Sequence, residues 1–210
     1  MGTVTTPPAE RSRAGSAAAD RLEPRALRTR TLILQALRDA VAEVPLDDLT
    51  VSELCRRAGV HRVTFYGHWP DVQAAASEAF AEVIDRLAAV DESDVADAAT
   101  PVDLAVHYER ALVAQLTEIR DHRAVYRSLA ASPAFARRLL ESLADRAGLA
   151  VRALAALGVV VPGNDVGLAT AHIAGGVVSA SLYWASTDDE DVETAARIIY
   201  AQLPAWWPRA

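Results

Sequence analysis

Residues 50–71, TVSELCRRAGVHRVTFYGHWPD, leave this chain little freedom, because two helix starts and a helix exit fall within 22 positions. Thr50 followed three residues later by Glu53 is a capping-box signature, in which the hydroxyl and the carboxylate satisfy backbone donors at a helix start. Val51, Leu54, Cys55 and Ala58 give that helix an apolar stripe, and Gly59 suits an exit that needs positive φ. A second short helix is expected from about Arg62 to His68. Pro70 stops it, and Asp71 can cap the next helix. Two short helices across a tight glycine-bearing turn form a helix-turn-helix unit.

Periodicity extends the helical reading to the rest of the chain. Ile33, Leu34, Leu37, Ala40, Val41 and Val44 recur at helical spacing before Pro45. Thr100-Pro101 and Ser132-Pro133 each pair a capping residue with a proline at the first turn, where its missing N–H costs nothing. Further helices are expected to Leu157, over Val166–Ser186 and over Val192–Leu203, and DESDVADAAT reads as an acidic loop. Nothing alternates at period two long enough to require a sheet. The expected class is all-α, with about nine helices. Residues 1–24 are rich in Pro, Ala, Ser, Thr and Arg without periodicity and read as a disordered arm.

Charge separates the chain into two parts. All 21 basic residues are arginine and the net charge is −7. The first 70 residues carry ten arginines against eight acids, and the remainder eleven against twenty. A mildly basic front with an acidic rear fits a nucleic-acid contact confined to the front. Cys55 has no partner for an intrachain disulfide, and the N-terminus has no apolar signal-peptide core, so a cytoplasmic protein is expected.

A metal site at Cys55, His61 and His68 fails on spacing, since no CxxC or HxxxH pair exists and no fourth ligand lies nearby. Cys55 reads instead as a small buried residue. On a helical wheel Phe65 and Trp69 fall together as anchors, while Val63, Thr64 and Gly67 point away from them. Arg62 sits in the first turn, where its fork could reach guanine O6 and N7. Tyr66 and His68 lie on the flanks, suited to phosphate oxygens. No catalytic constellation and no cofactor motif appears, so no enzyme activity is expected.

The stretch Thr50 to Asp71 resembles the N-terminal DNA-binding signature of the TetR (tetracycline repressor) family, above all in the spacing AGV…TFY.HW. The resemblance implies a three-helix DNA-binding domain over 25–72, then a larger effector-binding and dimerisation domain over 73–210. It implies a homodimeric, ligand-responsive regulator, usually a repressor, with double-stranded operator DNA and an unknown small molecule as partners. Carried over by position, Arg62, Val63 and Thr64 face the bases, and Thr50, Ser52, Tyr66 and His68 hold the backbone. The chain departs from the family at His61, where a small capping residue is usual, at Val63, and at Val72, where a lysine commonly binds phosphate. Arg25, Arg28 and Arg30 are candidate substitutes for that lysine. The alternative is a helical small-molecule-binding protein that no longer binds DNA.

Residues 166–187 contain no Asp, Glu, Lys or Arg. His172, the Ser and Thr content, Gly175-Gly176 and the acidic flanks argue against a membrane span. A helix apolar nearly all round is expected to be buried on two sides, one against its own subunit and one against a partner. HIAGGVVSASLYW also resembles the penultimate helix of TetR-family regulators, which implies a four-helix dimer interface with the final helix. The residues expected there are Gly175, Gly176, Ser179, Ala180, Tyr183 and Ile199. Ligand candidates, chosen by residue type, are His107, Tyr108, Tyr126, Phe135, His172 and Trp184, each also readable as core packing.

Overall fold

The computed structural model describes residues 26–88, 95, 97–164 and 166–209. The N-terminal arm, Arg25 and most of the acidic loop lie outside them. Val95 and Asp97, in the stretch expected as an acidic loop, are helical, and besides them nine α-helices and no strands occur among the described residues. They are α1 (26–40), α2 (Val51–Ala58), α3 (Arg62–Tyr66), α4 (Val72–Leu87), α5 (Pro101–Asp121), α6 (Arg123–Ala130), α7 (Pro133–Ala156), α8 (Val166–Ser186) and α9 (Val192–Ala201).

Local chemistry accounts for most of the boundaries. In α1 the buried stripe is Ile33, Leu34, Leu37 and Ala40. The helix ends at residue 40, four residues early, because the amides of Glu43 and Val44 both turn back onto the Ala40 carbonyl. A 3-10 turn, Leu46–Asp48, then leads into α2. The Thr50 hydroxyl accepts from the Glu53 amide at 3.2 Å. The Glu53 carboxylate forms the other half of no capping box and bonds Arg56 and Arg57 instead. Gly59, at φ 66°, closes the helix with two reversed bonds, Gly59 N–H to the Arg56 carbonyl and Val60 N–H to the Cys55 carbonyl. Asp71, Thr100, Ser132 and Asp191 each cap the helix that follows by accepting from an amide three residues on.

Helix α4 runs from the front of the molecule into the rear. At its start Trp69 Nε1 donates to Glu78, and Arg30 of α1 pairs with Glu78 and Glu82. At its far end Asp85 pairs with Arg146 of α7 at 2.7 Å. The rear helices enclose an aromatic centre in which Tyr126 stands edge-on to Phe80 at 5.3 Å and tilts against Phe135 at 6.2 Å. Burial first, then the neighbouring Glu118, push the Tyr126 phenol far above its ordinary range.

One feature differs from expectation, and a second concerns the face of α8 that its own chain leaves uncovered. The helix opened by Pro101 breaks at His122 (φ −121°, ψ 32°), with no Pro or Gly nearby. The break redirects α6 so that Arg123 and Arg127 reach the exposed carbonyls at the end of α8. Arg123 donates to Trp184, Thr187 and Asp189 and lies 4.4 Å over the Trp184 ring. Arg127 donates to Thr187 and pairs with Asp188. Helix α8 is buried on one side only. Its length and composition would allow a membrane crossing, yet 22% of its most apolar window is buried within the chain. Ile173, Ala174, Val178, Ser181, Trp184 and Ala185 face inward, and the opposite face is open.

Candidate nucleic-acid interface and effector cavity

The candidate reading head, α3, is a helix of five residues, too short to be stable alone and held by what it buries. Phe65 is fully buried and Trp69 nearly so, with ring centroids 5.6 Å apart. With that side fixed, Arg62, Val63, Thr64 and Tyr66 stand on the exposed side, and Val63 is 84% exposed. His61 precedes the helix without a side-chain cap bond, so the first amides of α3 carry no side-chain acceptor from that residue. Thr50 and Ser52 are exposed at the start of α2, and His68 is half-buried beside Trp69. The helix stops at Tyr66, two residues before the expected end. Gly67 there keeps right-handed φ and bonds back to Val63 and Thr64.

The charges around this head are largely consumed internally. Arg56 pairs with Glu53, and Arg57 pairs with both Glu53 and Glu43. Hydrogen bonds from Arg56 and Arg57 hold the Glu53 carboxyl down at about 2, so this network persists to low pH. Arg30 is engaged through its Nη2 by Glu78 and Glu82. Arg28 is exposed, and Val72 itself is packed in the core. Cys55 is buried, and burial pushes its thiol up.

A cavity of about 70 Å³ lies among α4, α5, α7, α8 and α9. Its wall includes Tyr108, Leu112, Gln115, Arg146, Ile173 and Trp207. The C-terminal segment shapes one side. Trp207 Nε1 donates to the Tyr200 hydroxyl at 2.8 Å, and that hydroxyl donates to the Ala105 carbonyl at 2.9 Å. Burial pushes both the Tyr108 and the Tyr200 phenols up to about 12. A second, outer groove of about 190 Å³ lies between α8 and α9 and shares Ile173, Val177, Ile199 and Leu203 with the inner cavity.

Of the ligand candidates, Tyr108 lines the inner cavity and His172 the outer groove. Tyr126 and Phe135 sit in the aromatic centre, Trp184 lies under Arg123, and His107 is half-buried on α5 outside the wall. Sequence reasoning missed Gln115 and Arg146. Gln115 had a signal, since it falls inside the apolar stripe Leu112–Leu116–Ile119. Arg146 had none, because α7 carries arginines on several faces. Among the residues expected at a dimer face, Gly176, Ser179 and Tyr183 are exposed and Gly175 and Ala180 half-buried. Ile199 differs: it is buried and lines the cavity, while its neighbour Ile198 is 51% exposed. A step of one residue turns a helical side chain by about 100°, enough to exchange inside for outside.

Residues 33–79 match the model of bacterial regulatory proteins of the tetR family. Two uncharacterized HTH-type transcriptional regulators, from two Mycobacterium tuberculosis strains, are each 33% identical over 89 residues. That match spans 42% of this chain and 41% of the relatives' length. Similar folds include Thermus thermophilus FadR, a TetR family transcriptional repressor solved with lauroyl-CoA (TM-score 0.66, 17% identity, 83% of this chain and 92% of that one). RolR solved with resorcinol is also similar (TM-score 0.60, 17% identity, 86% and 90% covered). At those identities the likeness is one of fold. The helix-turn-helix segment over residues 33–79 is therefore of the tetR type, and the likeness of the chain as a whole is one of fold.

Proposed function

We propose that this protein is a DNA-binding transcriptional regulator, acting as a homodimer that releases or engages its operator in response to a small molecule. The exposed face Arg62-Val63-Thr64, fixed from behind by buried Phe65 and Trp69, carries this reading. Arg62 supplies a fork for guanine, Val63 an apolar surface for a thymine methyl, and Thr64 a hydroxyl for either edge. Thr50, Ser52, Tyr66 and His68 flank that face and suit phosphate oxygens. In this division residues 25–72 read DNA and 73–210 bind effector and partner. The charge-free outer face of α8 with Ile198 of α9 supports pairing with a second copy, which would set two heads about 34–36 Å apart on a pseudo-palindrome. Repression is the expected sense, and the cytoplasm the expected compartment.

The test is a mobility-shift titration on DNA flanking the gene. Arg62→Ala should weaken binding by about 1–3 kcal/mol, fivefold or more. Arg56→Ala, whose guanidinium is already spent on Glu53, should change it far less. Equal affinity for wild type and Arg62→Ala would remove the reading-head assignment and favour a helical small-molecule-binding protein without DNA activity.

A further inference from the structure

The inner cavity is closed on one side by an aromatic ring of the chain's own. At about 70 Å³ it falls below the roughly 150 Å³ that accommodates benzene in an apolar protein interior. Trp207, 3% exposed, forms part of its wall. The indole stands edge-on to Tyr108 of α5 at 5.8 Å, and its Nε1 donates to the Tyr200 hydroxyl at 2.8 Å, the acceptor that a buried indole N–H requires. An indole is larger than benzene, so withdrawing it would add ring-sized space to the cavity.

The hold on this ring is local. The segment after α9 is not helical. Among the described residues, the hydrogen bonds of 204–209 run to that segment itself, to α9 or to the turn that ends α9. The Trp207 amide bonds Pro204, Arg209 bonds Ala201, Leu203 and Trp207, and Trp207 Nε1 bonds Tyr200. None ties the segment to α5, α7 or α8, and Tyr108 meets it ring to ring. The segment can therefore swing out while the other helices of the wall keep their places.

The wall also restricts what replaces the ring. Arg146 offers the cavity no charge, since its Nη1 is sealed off and its Nη2 binds Asp85 at 2.7 Å. The remaining polar side chains, Tyr108, Gln115 and Tyr200, are neutral. Gln115 is buried and has no hydrogen-bond partner among the described residues. A buried amide without a partner forfeits the bonds that water would have supplied, which a polar-edged ligand restores.

We propose that Trp207 is a removable plug in the effector site, and that the effector is a neutral, flat aromatic molecule with an N–H or O–H donor. It takes the place of the indole, edge-on to Tyr108 and donating to the Tyr200 hydroxyl. Because ligand and plug compete, the affinity of the wild type is reduced by the fraction of chains already open. This rests on the regulator reading only in calling the ligand an effector. The binding itself needs no DNA.

Calorimetric titration of the full chain with indole and with indene, which has the same shape and no N–H, tests it alongside fluorine NMR of chain labelled with 5-fluorotryptophan. The Trp207 resonance is the one lost in Trp207→Phe. It should move to a solvent-exposed shift as indole saturates the wild type. Trp207→Ala should bind indole at least tenfold tighter than wild type. Adding Tyr200→Phe to Trp207→Ala should weaken indole about fivefold, the value of one hydrogen bond, and leave indene within about twofold. Indole-5-carboxylate should bind Trp207→Ala at least tenfold more weakly than indole does. If Trp207→Ala fails to fold, the wild-type titration and the Trp207 resonance decide. The proposal is overturned if indole does not bind the wild type at millimolar concentration, or binds while the Trp207 resonance stays in place. It is also overturned if Trp207→Ala binds indole no tighter, if Tyr200→Phe affects indole and indene equally, or if the carboxylate binds as tightly as indole. A chain that binds indole in this way but shifts no DNA would instead sink the regulator reading and leave the plug standing.

Discussion

Single residues here carry roles that their neighbours of the same type do not. Gly59 sits at φ 66°, and a Cβ placed there would meet nothing within 4 Å, so its requirement is conformational and not steric. Gly59→Ala should lower stability by roughly 1–2 kcal/mol in urea denaturation, the cost of forcing an L side chain into the left-handed region, with Gly59→Asn less affected. An alanine as stable as wild type would show that the exit of α2 relaxes. Gly175 and Gly176 also have open space around a Cβ, but at ordinary helical angles. Their smallness is not needed by their own subunit, which is consistent with a second copy packing there. Arg62 and Arg56, six positions apart, differ in the same way: Glu53 consumes one, and the other stands exposed at the head.

Among the elements, α6 is the tether between the two parts of the molecule. Through Arg123 and Arg127 it holds the carbonyls ending α8. One turn further, Ser128 donates to Asp47 of the front 3-10 turn at 2.9 Å, and Gln73 at the start of α4 donates to Asp47 and Ser128. A shift of α6 would therefore move the base of the reading head. Ser128→Ala removes the contact that joins the rear to this turn. Backbone amides of Asp48 and Leu49 should then exchange hydrogen roughly two- to tenfold faster, as expected for a net loss of about 0.5–1.5 kcal/mol. Amides in the middle of α5 should be unaffected. Unchanged exchange at Asp48 and Leu49 would mean that the Ser128–Asp47 bond contributes nothing to holding this turn, which Gln73 still bonds.

At the scale of the whole molecule, the outer face of α8 dominates. Leu168, Tyr183 and Ile198 are each more than half exposed on a surface where α8 carries no charge. An uncharged apolar surface of that kind signals an interaction site. Tyr183→Glu or Gly176→Glu places a charge in it and should weaken self-association at least tenfold. Sedimentation velocity at micromolar concentration would then show monomer for the variants and dimer for wild type. Wild type sedimenting as a monomer would remove the dimer from the proposal.

Sequence alone determined the caps at Thr50, Asp71, Thr100 and Ser132, though not the Glu53 half of a capping box, and with them the Gly59 turn, the inward pair Phe65 and Trp69 and the helix-turn-helix resemblance. Each depends on groups three or four positions apart or on a fixed local backbone angle, so the chain encodes them without reference to distant parts. The break at His122, the inward turn of Ile199 and the cavity around Arg146 were decided by tertiary structure. No local signal interrupts the pattern at 119–126, and α6 turns there because the open carbonyls of α8 lie within reach of two arginines. The cavity wall gathers residues from Ala88 to Trp207, which only the packing of five helices brings together.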